Sequence, residues 1–379
     1  MSAQIEPFRI AASEEQLTDL AERLARTRWP DPETVDDTSQ GVPLAWLRDL
    51  VAYWADGYDW REREQRLNAW PQFRTEIDGL GVHFVHARSP EPDATPLVIT
   101  HGWPGSVAEF TKVLGPLTDP HAHGGDPSDA FEVICPSLPG YGFSDKPAEA
   151  GWGVERIARS WAQLMARLGH DRYFAQGGDW GSMVTTELAQ SDPDHCAGIH
   201  LNMAIALPAE EHMADLTPAE QGALEGMDHY QKWDSGYSKQ QSTRPQTLGY
   251  GLVDSPVGQA AWILEKFWAW TDHDGDPAKL LSRDELLDNV MLYWLPGTGA
   301  SSARLYWESF TAQSFDPVSA PVGISVFPKE IFRTSRRWAE RRYTDLRYFN
   351  EPDKGGHFAA FEQPERFVEE VRAAFRTMR

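Results

Sequence analysis

The chain has 379 residues, with 35 Lys+Arg against 57 Asp+Glu and a formal net charge of −22. That acidity excludes recognition of a nucleic-acid backbone, which needs a basic footprint, and docking on anionic lipid. Cys135 and Cys196 are the only two cysteines, too few for a disulfide framework or a Cys-rich zinc site, and they fit a reducing compartment.

The first twenty residues lack the basic start and apolar run of a signal peptide. No apolar stretch reaches the roughly eighteen residues that span a bilayer, so a cytoplasmic protein is expected. Residues 1–72 are predicted to form a helical extension wrapping a larger core. Ser13 caps a helix with Leu17, Leu20 and Leu24 on one face, and a second helix carries Trp46, Leu50, Tyr53 and Trp54. Residues 73–205 are expected to form the first part of an α/β core. A hairpin covers 73–87 around Asp78-Gly79-Leu80-Gly81, and strands follow at 96–100, 131–135, 172–176 and 197–201, with an amphipathic helix over 154–168. Strand–helix alternation implies a mostly parallel sheet with helices on both faces. The alternation stops over 206–315, a helical, aromatic stretch read as a lid on the carboxyl edge of the sheet, where ligands bind in such folds. It resumes over 316–379 with strands at 322–327 and 346–349, a helix at 333–342 and a closing helix over 358–378.

The chemistry concentrates at strand ends. Gly177-Gly178-Asp179-Trp180-Gly181 has the G-x-S-x-G elbow shape with Asp in the nucleophile position, and no G-x-S-x-G occurs in the chain. Asp179 can attack carbon to form an ester; the alternative is a plain helix cap. His101-Gly102-Trp103-Pro104-Gly105 follows a strand where an oxyanion-hole loop belongs. Glu330, in Phe327-Pro328-Lys329-Glu330, and His357, in Gly355-Gly356-His357-Phe358, complete the order nucleophile, acid, histidine. Asp353 is a second carboxylate able to orient the histidine.

With these motifs the chain resembles α/β-hydrolase-fold epoxide hydrolases of the microsomal type, the branch with an N-terminal epoxide hydrolase domain. The likeness runs from about Phe8 to the C-terminus. It is also carried by Tyr58-Asp59-Trp60-Arg61, Leu138-Pro139-Gly140-Tyr141-Gly142-Phe143-Ser144, Thr243-Arg244-Pro245-Gln246-Thr247 and Asp254-Ser255-Pro256-Val257-Gly258. The resemblance implies that Asp179 opens the epoxide and lid tyrosines Tyr237 and Tyr306 protonate the ring oxygen. His357, oriented by Glu330, then activates water to release a vicinal diol. It also implies an oxyanion hole of the Trp103 and Trp180 amides, and a substrate site walled by Trp103, Pro104 and Trp180, with Trp262 and Trp268 nearby. No cofactor or metal is required. The expected partners are a small epoxide and water, with detoxification of foreign epoxides as the setting; a homodimer is compatible with this reading.

Two rivals are a haloalkane or haloacid dehalogenase, which shares the Asp nucleophile but needs no proton donor for its leaving halide, and a non-catalytic binding protein of the same fold. Two metal-like stretches are set aside. Asp272-His273-Asp274-Gly275-Asp276 has Pro277 where a calcium loop needs glycine, and His121-Ala122-His123 lies in a Gly/Asp/Pro-rich loop.

Overall fold

Two residues of positive φ, Asp78 at 53° and Gly79 at 78°, close the turn between strands Gln72–Ile77 (β2) and Leu80–Ala87 (β3). Turns of this hand match the twist of the flanking strands, and Ile77 pairs directly with Leu80. The computed structural model describes residues 4–310 and 315–379; residues 311–314, at the end of the expected lid, lie outside the described residues. Strand β1 is Glu6–Phe8; after β3 come Thr95–Thr100 (β4), Phe131–Pro136 (β5), Tyr173–Gly177 (β6), Cys196–Leu201 (β7), Val318–Ser325 (β8) and Tyr343–Asn350 (β9). Among the described residues they form one nine-stranded sheet in the order β1-β2-β3-β5-β4-β6-β7-β8-β9. Pairing is antiparallel from β1 to β5 and parallel from there on. The parallel strands are continuous apolar runs, such as the fully buried Leu97, Val98 and Ile99, because helices cover both their faces.

Helices Thr111–Thr118 (α4) and Pro364–Arg376 (α15) pack together on one face, and Val154–Leu168 (α5) and Trp180–Ser191 (α6) on the other. The N-terminal helices are Glu14–Ala25 (α1), Leu44–Asp56 (α2) and Trp60–Leu67 (α3). Ser13 caps α1 with a full capping box. Between β7 and β8 lie Pro218–His229 (α7), a π-helical turn Tyr230–Asp234, Gly236–Thr243 (α8), Pro245–Asp254 (α9), Pro256–Trp270 (α10), Arg283–Trp294 (α11) and Gly299–Ser309 (α12). Arg336–Arg342 (α13) and Ala359–Glu362 (α14) belong to the core's second part.

The structure departs from the sequence expectations in three places. The N-terminal segment is not purely helical: β1 pairs with β2 and extends the sheet. The closing helix is split, because Pro364 starts α15 and pushes Gln363 out of helical geometry (φ −131°). Strand β8 ends at Ser325 rather than Phe327, which frees Val326–Phe327 to lead out to Glu330.

Candidate active site

The turn from β6 into α6 puts Asp179 at φ +51°, ψ −131°, a region costly for any residue but glycine. Close approach holds it there. A Cβ on Gly181 would lie 1.9 Å from the Thr100 carbonyl oxygen, and one on Gly102 would lie 2.1 Å from Asp179 Oδ1. Asp179 does not cap α6 with its side chain. Its Oδ1 accepts instead from the Trp103 backbone N–H, at 2.8 Å, across from the loop after β4. Trp180 opens α6, where backbone N–H groups have no intrahelical acceptor.

His357 lies between two carboxylates. Its Nε2 is 3.3 Å from Asp179 Oδ2 and its Nδ1 is 2.6 Å from Glu330 Oε1. The histidine and glutamate side chains are 2% and 0% exposed, and that of Asp179 is 12% exposed. Burial pushes the imidazole toward neutrality, but Glu330 and Asp179 outweigh it and hold His357 well above its ordinary value. Asp353 does not orient the histidine; it is exposed and pairs with Arg366 at 3.2 Å.

The His357 loop is tied to the lid. Its N–H donates to the Trp270 carbonyl at 2.9 Å. The buried Glu362 carboxylate accepts from the N–H groups of Asp272 (2.8 Å), Gly356 (3.0 Å) and Phe358 (2.9 Å). Asp272 Oδ2 takes the Gly355 N–H at 3.0 Å, so the stretch that imitates a calcium loop serves as a clamp.

Tyr237 and Tyr306 are both buried, with ring centroids 5.7 Å apart. Tyr237 stacks on Trp103 at 4.9 Å and Tyr306 meets Trp180 edge-on at 4.9 Å. Burial raises both phenols well above their ordinary value, so each carries its proton. Pro104 lies in the same buried loop, and its carbonyl accepts from Asn289 Nδ2 of α11 at 2.8 Å. Trp262 and Trp268 are not part of this cluster: Trp262 donates to Gln241 and Trp268 packs on Trp46. A third indole near the site, beside those of Trp103 and Trp180, is that of Trp270, 5.2 Å from Tyr237 and 4.9 Å from His357.

Sequence reasoning missed Tyr230, whose hydroxyl is 3.0 Å from that of Tyr237. The seven-residue spacing is two helical turns and was the available signal, but the intervening π turn is not legible in sequence. It also missed Lys266, buried with Nζ 4.5 Å above the Tyr237 ring and 2.7 Å from Asp234. Among the described residues one group of possible metal ligands occurs: His86, Glu132 and His170. Glu132 pairs with Pro96 at the amino end of β4, the edge opposite Asp179. The His121–His123 turn is exposed.

A largely parallel α/β sheet, an Asp-bearing elbow and a helical lid inserted before the last two strands define an α/β hydrolase. Residues 5–110 match the family model described as epoxide hydrolase N terminus, and residues 95–230 match that of the alpha/beta hydrolase fold. The chain is 57% identical over 376 residues to a Stigmatella aurantiaca (strain DW4/3-1) protein whose epoxide hydrolase name is provisional, covering 99% of this chain and 86% of that one. It is 38% identical over 398 residues to epoxide hydrolase 1 of Sus scrofa, covering 97% and 88%. The solved Aspergillus niger epoxide hydrolase superposes with a TM-score of 0.90 at 33% identity, covering 100% of this chain and 97% of that one. The chain belongs to the epoxide hydrolase family, enzymes that hydrolyse epoxides. The dehalogenase and binding-protein readings are thereby set aside. No helix among the described residues is long and apolar enough to cross a membrane.

Proposed function

We propose that the enzyme converts an epoxide to a vicinal diol through an ester at Asp179. The reading is carried by one observation: His357 bridges Asp179 and the buried Glu330, while two protonated phenols pack on the tryptophans that flank Asp179. In the first step an Asp179 oxygen bonds to one epoxide carbon, the carbon–oxygen bond of the ring breaks, and a proton from Tyr237 or Tyr306 goes to the ring oxygen. A phenol donates without bringing a buried charge to the site.

Esterification removes the negative charge that helps hold the proton on His357. The imidazole then gives up its proton to solvent, the phenol regains one from solvent, and His357 is free to act as base. A water loses a proton to Nε2, its oxygen bonds to the Asp179 carbonyl carbon, and the Trp103 and Trp180 amides stabilise the oxyanion. One such donor is typically worth about 3 kcal/mol of barrier. Collapse expels the diol, the developing alkoxide taking the proton from His357, and the regenerated Asp179 carboxyl passes its proton to the imidazole, which restores the starting pair.

Small aryl and alkyl epoxides are the substrate class this apolar, aromatic setting suits. The test is a single turnover in oxygen-18 water, in which the first diol is expected to carry an unlabelled oxygen from Asp179. His357→Gln is expected to accumulate an adduct of epoxide mass, and Asp179→Ala none. A first diol bearing only solvent oxygen would overturn the ester.

A further inference from the structure

A cavity of about 20 Å³ lies against Asp179 and His357, room for a single water molecule. Its walls include Trp103, Glu109, Gly178, Asn202 and Phe358 but neither Tyr237 nor Tyr306, so the phenols do not line it. Water attack on an ester formed beneath the phenols needs such a place, against Asp179 and His357 and clear of the phenols. We propose that Glu109 is the second holder of the hydrolytic water: the water gives one hydrogen to His357 Nε2 and the other to a Glu109 carboxyl oxygen, which aims its lone pair at the ester carbon. This rests on the Asp179 ester described above.

The other side-chain acceptors in the walls are already engaged, Thr100 Oγ1 by the Trp161 indole N–H at 3.1 Å. His101 Nδ1 is 2.9 Å from the Gly102 carbonyl, its Nε2 accepts from the Leu138 N–H at 3.2 Å, and Asn202 Oδ1 accepts from Gln176 at 2.8 Å. Glu109 is surrounded by protein yet keeps part of its surface accessible, as a side chain facing an internal cavity does. Its carboxyl is seated by the loop after β4, where a Cβ on Gly105 would lie 1.5 Å from Oε1. The Ser106 backbone N–H lies close enough to that carboxyl to favour its ionised form.

A neutral acid suits this role, since it accepts a hydrogen bond without adding charge beside the oxyanion. Burial pushes Glu109 up to about 8; Asp179 and Glu362 act in the same direction, while His357 and the Ser106 N–H oppose them. Cys135 of β5 and Tyr293 of α11 also face it, both kept neutral by burial. Below about pH 8 the carboxyl is protonated. Above that value a second negative charge beside the tetrahedral oxyanion slows ester hydrolysis. The proton lost by the water goes to His357 throughout, and Glu109 keeps its own.

The experiment separates alkylation from hydrolysis by rapid quench and intact mass across pH 6–10 in wild type, Glu109→Leu, Glu109→Gln and His357→Gln. Glu109→Leu is expected to slow ester hydrolysis about tenfold, the worth of one positioned hydrogen bond, with alkylation little changed. The ester then accumulates, and kcat and KM fall together while kcat/KM holds. The isosteric Glu109→Gln is expected to lower hydrolysis a few-fold and to lose the alkaline fall. Wild-type ester hydrolysis in Glu109→Leu, or an alkaline fall that survives in Glu109→Gln, overturns the role of Glu109 alone. Failure of His357→Gln to form any ester overturns the Asp179 reading and this inference with it.

Discussion

Asp179, Tyr237 and Tyr306 show how burial prepares a side chain for a task. Apolar walls keep the phenols protonated, and an unfavourable backbone angle keeps the carboxylate facing them. Positioned proton donation is typically worth about 10²–10⁴-fold. Tyr237→Phe and Tyr306→Phe are each expected to slow alkylation by roughly tenfold or more, and the double variant to be nearly inactive but folded. Ester hydrolysis should change little, since in the proposed mechanism its proton goes to His357. Tyr230→Phe should give a smaller loss, because the Tyr230 hydroxyl, 3.0 Å from that of Tyr237, would act through it. Pre-steady-state quenching of all four variants decides the matter; wild-type alkylation rates in both single variants would reduce these tyrosines to packing.

At the scale of elements, α11 links the N-terminal segment to the loop that carries Trp103. One side of the helix takes Arg63 and Tyr58 of the extension on Asp288, at 2.6 and 2.8 Å. The next residue, Asn289, accepts from Ser106 Oγ (2.7 Å) and donates to the Pro104 carbonyl, and Tyr293 donates to the Gly105 carbonyl at 2.6 Å. Removing one partner of a buried ion pair leaves an uncompensated charge, at about 3–5 kcal/mol. Arg63→Ala should therefore lower the denaturation midpoint more than Arg63→Ala/Asp288→Ala does, which urea titration can measure. Equal losses would mean that the pair carries no buried charge penalty. Asn289→Ala strands two buried groups at about 1–3 kcal/mol each. It should also slow alkylation, by loosening the amide that Trp103 offers Asp179.

Across the whole molecule, extension, lid and core hold one another in place. Trp46 donates to Asp276, Tyr53 to Asp284 at 2.6 Å, and Arg23 to the Asp254 carbonyl. The buried faces of α1 to α3, including Leu20, Leu50, Trp54 and Trp60, join the common core. Deleting residues 1–68 should leave no soluble, cooperatively folding protein, since it bares the apolar surface these helices cover, the β2 edge and the Asp288 carboxylate together. A truncated chain with wild-type activity would show the extension to be dispensable. Glu362→Ala strands three backbone N–H groups that join the His357 loop to the lid. It should raise the steady-state level of the ester by displacing His357, an effect visible by intact mass.

Local chemistry made much of this legible in the amino-acid sequence. Turn glycines, runs of buried apolar residues and the helical period mark the hairpin, the parallel strands and α5, because each depends on neighbours a few residues away. The positions of Asp179, Glu330 and His357 were readable for the same reason, each lying in the stretch that leads out of a strand. What lay beyond reach depends on contacts between distant segments. The choice of Glu330 over Asp353, and of Trp270 over Trp262 and Trp268, follows from how the lid seats on the core. So do the pairing of Tyr230 with Tyr237, the clamp by Glu362 and the exposure of Glu109 to the water-sized cavity. Sequence spacing names the groups that can react, whereas only the packed lid decides which of them lie within hydrogen-bond reach and which carry a proton, since burial and neighbouring charge are tertiary properties.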